Sequence, residues 1–544
     1  MDERHESPWI VIPARGGSTG VPRKNVRLLQ GEPMIARTIK TALRGTEPGR
    51  VIVITDDDEI AEISERFGAV VTREEKTTGK ATLDQVMVRT IPFLKTLGAS
   101  DHDVLLTMQP TCPFIRATRI AEAMQKFAEG AGSVITVVDD RHLGWTIDKY
   151  GTPQPDYKER VNRQMLPPKF KESGAIIGAR IGSILEYQTR IVEPIQLVEV
   201  PNGESLDIDT FSDWAVAEHL ASRKRILLRT DGAKELGMGH LYRTLALAYA
   251  LARHRITIVL SDDKPLGKEF FADYPFEVVT VESDLEFLSF ARKYKADLVV
   301  LDRLDNVTEF VTLLGGFCKV VTFEDLGSGA EDADLLVADL YENPRVPAER
   351  QLTGVENAIL APSFETIKRT IEFRESVEEV LILFGGTDPS NLAVTALNAL
   401  DQIGFGGRVT LVRGLGSDLI DPNAYKLKLR ILSNVKNMPA IMENADLALS
   451  SAGRTITELS SLGIPTICMA QNAKELTHAH TVEANGVKML GLGNDVSTEN
   501  LSAEIQNLIN DFGARQTLSA NALQATSTRS NTKVVERILE KLFS

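Results

Sequence analysis

Three cations stand among glycines in the stretch "WIVIPARGGSTGVPRKN", residues 9–25, where Arg15, Arg23 and Lys24 fall within ten residues. The apolar run that ends in Pro-Ala-Arg-Gly-Gly predicts a buried parallel strand followed by a loop at its carboxyl end. Ligands usually bind at that end of an open α/β sheet. Glycines between cations bring backbone N–H groups and positive charge together, which suits a polyphosphate. The alternative is a solvated turn whose cations face water.

A second chemically suggestive pair, Asp207 and Asp209, lies in "LDIDT". We predict a strand here, along which alternate side chains share one face, so that both carboxylates point the same way. Two oxygen donors opposite a triphosphate suit Mg²⁺ (or Mn²⁺) held jointly by protein and substrate. The alternative is an exposed strand edge that carries ordinary solvated acids.

The elements that must position these residues alternate between apolar strands and amphipathic helices, as in "RVIVITDDDEIAEISERFGA". This alternation predicts an α/β fold from end to end. The first series closes around "ESLDIDTFSDWAVAEHL", and "ILLRTDG" begins a new strand with a new glycine loop. We therefore predict a boundary near Ser222–Lys224, with one domain over 1–222 and two further lobes over 225–370 and 371–544.

The bulk composition excludes several classes of protein. A chain of 544 residues, 43% of them hydrophobic and 25% charged, predicts three or four globular units at about 150 residues each. A net charge of −14 argues against general affinity for nucleic acid or anionic membranes. Three scattered cysteines form neither a disulfide framework nor a zinc site, and no signal segment or long apolar run is present. We predict a soluble, cytoplasmic protein.

The first half resembles the CMP-sialic acid synthetase family, the acid-sugar cytidylyltransferases. "IPARGGSTGVPRKN" is close to that family's I-P-A-R-G-G-S-K-G-I-P-x-K-N, and "LLQGEPMIARTIKTAL", "LLTMQPTCPF", "NRQMLPPKFKESGAI" and "LDIDTFSDWAVAE" follow in the family's order. The resemblance covers about residues 8–220. It implies a Rossmann-like nucleotidyltransferase domain that converts CTP and a nonulosonic acid sugar into a CMP-sugar and diphosphate.

Attack on the α-phosphorus needs cations that spread charge over the phosphates, and Arg15 and Lys24 are the candidates for this clamp. One departure is Thr19, which stands where the family has lysine, and Arg23 could substitute for that lysine. Arg163 is expected to bind the sugar carboxylate through a bidentate pair, and the alternative is a surface arginine paired with a nearby Glu. The further candidates are the loop donors Gly16, Gly17 and Ser18, and, by resemblance, the nucleotide contacts Asn25, Thr82 and Gln109 and the sugar contacts Arg163 and Gln164.

The second half, about residues 225–490, resembles the UDP-sugar hydrolase of pseudaminic acid biosynthesis. "ILLRTDGAKELGMGHLYRTLALAYAL" contains its G-x-G-H-x-x-R motif, with Gly239 and His240 inside it. The resemblance implies the two-lobed fold of type-B glycosyltransferases. A neutral imidazole at the start of a helix could act as a general base on water. The alternative is a histidine that caps or packs against that helix.

The nucleotide lobe of the same resemblance lies in "FGGTDPSN" and "ADLALSSAGRTITELSSLGIPTICMAQN". A helix that begins near Thr455 could take a diphosphate at its N-terminus, and Glu458 would contact the ribose. Thr455 and Glu458 also fit a capping box, which needs no ligand. Asp302-Arg303-Leu304 departs from the family's Asp-His-Tyr. The other nucleotide candidates are Gly386, Thr387, Gly453, Arg454 and Asn472.

Together the resemblances imply a bifunctional enzyme of nonulosonic acid biosynthesis, because one pathway uses both activities. Two alternatives stay open for the second half: a UDP-sugar-binding module without catalysis, or a glycosyltransferase. The implied partners are CTP, the acid sugar and a UDP-sugar, and the first resemblance implies a homodimer through the cytidylyltransferase domain.

Overall fold

The apolar runs form three large sheets within the residues that the computed structural model describes, which are 7–18, 20–73, 81–231, 239–366, 373–385, 388–414, 419–433, 435 and 437–543. The chain divides into two units, Met1–Ser222 and Arg223–Ser544. The α/β architecture predicted from the sequence is confirmed, with one large sheet in the first unit and two in the second.

The first unit contains a seven-stranded sheet in the order β11-β7-β10-β6-β1-β4-β5, in which only β10 is antiparallel to its neighbours. The strands of the first unit are β1 (Trp9–Pro13), β2 (Leu28–Leu29), β3 (Glu32–Pro33), β4 (Val51–Thr55), β5 (Val70–Arg73), β6 (Val104–Met108), β7 (Ser133–Asp139), β8 (Trp145–Ile147), β9 (Pro153–Pro155), β10 (Phe170–Arg180) and β11 (Ile195–Glu199). Of these, β2 with β3 and β8 with β9 form two separate two-stranded sheets. Its helices are α1 (Met34–Leu43), α2 (Asp58–Arg66), α3 (Leu83–Thr96), α4 (Thr118–Ala128), α5 (Ile181–Tyr187) and α6 (Phe211–Ser222). Strands β4 and β6 are buried along their whole length, as expected for a parallel sheet covered on both faces.

The first lobe of the second unit has a parallel sheet in the order β14-β13-β12-β15-β16-β17-β18. Its strands are β12 (Arg225–Thr230), β13 (Arg255–Ser261), β14 (Glu277–Val281), β15 (Leu298–Asp302), β16 (Lys319–Phe323), β17 (Leu335–Ala338) and β18 (Gln351–Thr353). The helices are α7 (Gly239–Ala250), α8 (Pro265–Phe271), α9 (Asp284–Tyr294), α10 (Thr308–Gly315) and α11 (Ser363–Thr366).

The second lobe has a parallel sheet in the order β21-β20-β19-β22-β23-β24. Its strands are β19 (Glu379–Leu383), β20 (Arg408–Arg413), β21 (Lys428–Ser433), β22 (Leu447–Ser450), β23 (Thr466–Ala470) and β24 (Val487–Leu492). Helices α12 (Leu392–Gln402), α13 (Met438–Met442), α14 (Thr455–Ser461), α15 (Thr498–Asn510) and α16 (Phe512–Thr526) belong to the same part of the chain, and α17 (Asn531–Phe543) follows.

The last helix corrects the predicted extent of the second lobe, 371–544. Val534, Ile538 and Leu542 of α17 are buried in the core of the first lobe, beside strand β12. The Asn531 side chain fixes the start of this helix, because its Nδ2 donates to the Leu360 carbonyl at 2.7 Å. The second lobe therefore ends before α17, and the chain returns to the first lobe.

Among the helices of the described ranges, none is long and apolar enough to cross a membrane.

Candidate functional site

The glycine loop after β1 is held against the end of the neighbouring strand β4. The Gly16 N–H donates to the Asp56 carboxylate at 2.9 Å, and a Cβ added to Gly16 would stand 2.5 Å from Asp57 Oδ2. The buried Asn25 side chain fixes the loop, since its Nδ2 donates to the Arg15 carbonyl at 3.0 Å. Asn25 was predicted only as a nucleotide contact, and the structure shows that it also shapes the loop.

Lys24 joins this loop to the predicted carboxylates, although the residues are far apart in sequence. Its nearly buried ammonium donates to the Ile208 carbonyl and pairs with Asp209 at 3.0 Å. Asp207 and Asp209 are both exposed and flank buried Ile208. The predicted strand is wrong: residues 206–209 belong to no strand, and the Ile208 N–H instead donates to the Thr111 carbonyl at 2.9 Å.

The buried thiol of Cys112 lies within the electrostatic influence of Asp207 and Asp209. Burial, together with the negative charges of Asp207 and Asp209, raises the pKa of Cys112 to about 12. Within the described ranges no group of three or more His, Cys, Asp or Glu side chains could hold a metal ion alone. A cation at Asp207 and Asp209 would therefore need oxygen atoms from a bound substrate.

Gly20 makes the closest approach between the loop and the Asp209 segment. A Cβ added to Gly20 would stand only 2.0 Å from the Asp209 carbonyl oxygen, whereas one added to Gly17 would have nothing within 4 Å. Gly20→Ala must therefore push the loop away from Asp209, and we expect the melting temperature of the first unit to fall by about 2–8 °C. Gly17→Ala is the matched control and should leave it unchanged. Scanning calorimetry of both variants checks this, and equal melting temperatures would contradict the close approach.

The two arginines of the loop differ in their surroundings. Arg15 is exposed and has no ion pair within the described ranges, so its guanidinium can meet a ligand. Arg23 pairs with Asp57 and Glu59 at the start of α2. Burial acts to raise the pKa of Asp57, but hydrogen bonds from Arg23 and from the helix backbone outweigh it and lower that pKa. Thr19, the departure that Arg23 could compensate, lies outside the described residues, and Ser18 beside it is half-buried.

The predicted nucleotide contacts Thr82 and Gln109 lie in different surroundings. Thr82 is the N-cap of α3 and forms a capping box with Gln85, in which its Oγ1 accepts from the Gln85 N–H at 3.3 Å. Gln109 follows β6 at the carboxyl edge of the sheet, with its Nε2 next to Gly174. Gly174 has a φ of +72°, and a Cβ there would lie 3.3 Å from that amide nitrogen. Gln109 is thus at the expected edge, whereas the hydroxyl of Thr82 is used by its own helix.

The predicted sugar contacts Arg163 and Gln164 lie together in an exposed 3₁₀ turn, Arg163–Met165. The Arg163 Nη2 donates to the Asp139 carbonyl at 3.3 Å and lies 4.0 Å from its carboxylate. That carboxylate is occupied by Arg141, whose hydrogen bonds lower the pKa of Asp139 to about 2. The guanidinium of Arg163 is about half exposed and can reorient toward an incoming carboxylate.

In the second unit, His240 forms a pair with a buried carboxylate at the end of β15. The His240 Nδ1–H donates to Asp302 Oδ1 at 2.6 Å, and Arg243 Nε donates to the other oxygen at 2.9 Å. Burial acts to raise the pKa of Asp302, but Arg243 and His240 outweigh it and hold that pKa well below its usual value. A charged Asp302 fixes the tautomer that leaves His240 Nε2 unprotonated, as a general base requires.

Sequence reasoning did not assign Asp302 this role, and treated it only as part of a cluster that departs from the family. The signal was its position at the carboxyl end of β15, because β15 pairs in parallel with β12, the strand that precedes His240 in the chain. Arg303, the departing residue, points elsewhere: it pairs with Asp284 of α9 at 2.6 Å and stacks over Phe310.

In the second lobe, the loop before α14 is braced by two histidines. His478 Nδ1 donates to the Ala452 carbonyl at 2.7 Å, and His480 Nε2 donates to the Gly453 carbonyl at 3.0 Å. The predicted capping box is wrong: the N-cap of α14 is Arg454, which makes no side-chain cap, and Thr455 is the first helical residue. The Arg454 guanidinium instead reaches the first lobe, where it lies 3.2 Å from Asp339.

Glu458 is half-buried, one turn into α14. Burial raises the pKa of Glu458 to about 7, and the positive charge of Arg454 acts in the opposite direction. A carboxylate at this position can accept hydrogen bonds from ribose hydroxyls, and the protonated carboxyl can also donate one.

Two predicted nucleotide contacts after β19, Gly386 and Thr387, lie outside the described residues. The next residue, Asp388, accepts hydrogen bonds from the Leu392 and Ala393 amides and from Gln471 Nε2 at 2.7 Å. A cavity of about 280 Å³ opens here, lined by Phe384 and Asp388 and by residues 411–414 at the end of β20. Gln471 was missed by sequence reasoning, and its neighbour Asn472 is exposed, with its Oδ1 accepting from the Glu475 N–H at 3.1 Å.

Comparisons with known proteins match the two halves to different families. Residues 9–144 match the family described as "Cytidylyltransferase", and residues 380–537 match the "Glycosyltransferase family 28 C-terminal domain". CMP-N,N'-diacetyllegionaminic acid synthase of Legionella pneumophila is 33% identical over 221 residues, which are 39% of this chain and 94% of that protein.

Two further relatives extend the comparison. The spore coat polysaccharide biosynthesis protein SpsG of Bacillus subtilis is 24% identical over 308 residues, 53% of this chain and 90% of that protein. An uncharacterized protein of Methanocaldococcus jannaschii is 29% identical over 272 residues, 46% of this chain. This chain covers 56% of that protein's length, little more than half.

The fusion predicted from the sequence is confirmed at the level of these families. The chain therefore belongs to the cytidylyltransferase family of the CMP-sialic acid synthetase type, and its second unit carries a C-terminal domain of the glycosyltransferase family 28 type.

Proposed function

We propose that the first unit transfers CMP from CTP to a nonulosonic acid sugar. The observation that carries this proposal is the junction at Lys24, which joins the cationic glycine loop to Asp207 and Asp209 at the carboxyl edge of β1 and β6. In the reaction a sugar hydroxyl attacks the α-phosphorus of CTP, its proton is lost to solvent, and the bond to the diphosphate breaks. Arg15, Lys24 and the loop N–H groups would stabilise the charge that moves onto the leaving diphosphate.

The carboxylates fit the metal that this reaction class uses. Asp207 and Asp209 offer exposed oxygen donors, which Mg²⁺ accepts, and the ion usually completes its shell with substrate phosphates and water. A bound Mg²⁺ would neutralise phosphate charge at this position. In this structure the Lys24 ammonium supplies the positive charge beside Asp209 through their ion pair. It can turn toward a phosphate when the carboxylate binds the cation instead.

The test of the first activity is a diphosphate-release assay with CTP and a panel of acid sugars. N,N'-diacetyllegionaminic acid is the first substrate to examine, because the 33%-identical relative is named for its CMP derivative. Sialic and pseudaminic acids complete the panel. Release of diphosphate that depends on one of these acids supports the proposal, whereas acid-independent loss of CTP contradicts it.

We propose that the second unit hydrolyses a UDP-sugar of the diacetamido-trideoxy class. The Asp302–His240 pair supports this function, since it holds a ring nitrogen ready to take a proton from water while UDP leaves. The nucleotide would bind in the second lobe, near Gly453, Glu458 and the cavity after β19. Titration with UDP-sugar distinguishes the alternatives: UDP release in water alone indicates a hydrolase, acceptor-dependent release a transferase, and binding without release a binding module.

We also propose that the protein is a homodimer through the first unit. The β8–β9 hairpin stands outside the main sheet and exposes large apolar side chains, with Trp145 61%, Ile147 66% and Tyr150 80% exposed. A second copy can cover this surface with the same surface, as a two-fold interface requires. Light scattering should give twice the chain mass for the wild type and the mass of a single chain after Trp145→Ser with Ile147→Ser. A wild-type monomer, or a dimeric double variant, would contradict this proposal.

A further inference from the structure

Arg454 directly precedes helix α14 in the second lobe, but its side chain binds the first lobe. Its Nη1 lies 3.2 Å from Asp339 Oδ1, and its Nη2 donates to the Ile359 carbonyl at 2.8 Å. Its aliphatic part passes over Gly239, where a Cβ would lie 3.8 Å from Arg454 Cδ. Arg454 thus crosses between the lobes one residue away from His240.

The acceptor of this contact is a pair of buried carboxyl groups, Glu324 and Asp339, which are 3% and 4% exposed. Burial and the neighbouring Asp339 raise the pKa of Glu324 well above its usual value. Burial acts in the same direction on Asp339, but Arg454 outweighs it and lowers the pKa of Asp339. The Arg454 guanidinium thus faces the Asp339 carboxylate at 3.2 Å, and Arg243 Nη1 lies 3.6 Å from Glu324 on the first-lobe side.

We propose that Arg454 is a positioning residue that sets the distance between the nucleotide in the second lobe and the His240–Asp302 pair in the first. This inference rests on the proposed hydrolysis by the second unit, and it replaces the predicted role of Arg454 as a phosphate contact. Two guanidinium nitrogens are already bound to the first lobe, and the planar fork matches a carboxylate and a carbonyl at once. The general base His240 follows Gly239, over which Arg454 passes, so the position of His240 relative to the nucleotide depends on the Arg454 contact. A shift of about 1 Å in such a position can lower the rate about a hundredfold.

The test is a double-mutant cycle with Arg454→Gln, Asp339→Asn and both together, assayed for UDP release and for UDP affinity by calorimetry. Each single variant should lower kcat about 10- to 100-fold and leave the UDP Kd within about threefold. The double variant should be no slower than the slower single variant, since both remove the same contact. Arg454→Lys should recover part of the rate, because one ammonium cannot reach both acceptors. Arg430→Gln, an exposed arginine of β21, is the control.

A phosphate contact gives a different pattern, which would overturn the inference. Arg454→Gln would then weaken UDP binding, Asp339→Asn would not, and the effects would add. A distance measurement separates this outcome from failure of the proposed function. Spin labels at Leu285 of α9 and Gln506 of α15, with Cys318→Ala, report the spacing of the lobes without turnover. A broader distance distribution in both variants supports the contact even if no UDP is released, and unchanged distributions contradict it.

Discussion

Asp209→Ala is expected to lower CMP-sugar formation by about two to three orders of magnitude and to leave UDP release by the second unit unchanged. The variant removes a carboxylate beside the phosphate loop and the ion pair that fixes Lys24 at 3.0 Å. The rate should fall because charge on the phosphates is no longer balanced in the transition state. The second activity should persist because its candidate residues all belong to the other unit, Arg223–Ser544.

Two further variants make this result specific to charge. Asp209→Asn keeps the size of the side chain and should also be slow, whereas Glu129→Ala, at the exposed end of α4, should have wild-type activity. Diphosphate and UDP release measured on the same preparations check the prediction. A folded Asp209→Ala protein that loses both activities, or keeps both, would contradict it.

His240→Asn is expected to lower UDP release by about two to four orders of magnitude, which is the usual contribution of a positioned acid–base group. UDP affinity should stay close to the wild-type value, since the proposed nucleotide contacts lie in the other lobe of the second unit. Asparagine can still donate to Asp302, so lost activity does not simply reflect an unpaired buried carboxylate.

Tyr242→Phe on the same helix is the matched control for His240→Asn, because Tyr242 is 45% exposed and outside the proposed site. Stopped assays of UDP release, with calorimetric titration of UDP, measure both quantities. Wild-type turnover in His240→Asn would make the histidine a structural residue of α7. A wild-type protein that binds the UDP-sugar but releases no UDP would favour the binding module.

The local parts of the site could be predicted from the sequence because each depends on a short pattern. The apolar run of β1 followed by glycines and cations predicts a strand and a phosphate loop, and the structure places the loop at the carboxyl edge of the sheet. The α/β class follows from the same alternation of strands and helices. His240 at the start of α7 was likewise predictable from its position after glycines.

The contacts between distant segments could not be predicted, since spacing does not tell which segments meet. Lys24 pairs with Asp209, and the sequence shows only that both are polar residues near strand ends. The apolar positions of α17 predict an amphipathic helix but do not show which core it covers. The capping box at Thr455 was predicted from residue types alone, whereas the helix begins after Arg454, whose side chain is held by the first lobe.

Phosphorus NMR of a single reaction mixture shows whether the first unit transfers a cytidylyl group. Intact protein is incubated with CTP, Mg²⁺ and N,N'-diacetyllegionaminic acid, and the spectrum follows every phosphate in the mixture. We expect the CTP signals to disappear while a CMP-sugar phosphodiester and diphosphate appear in equal amounts. CTP that stays intact with every acid of the panel, or that is cleaved without forming a phosphodiester, would contradict cytidylyl transfer by the first unit.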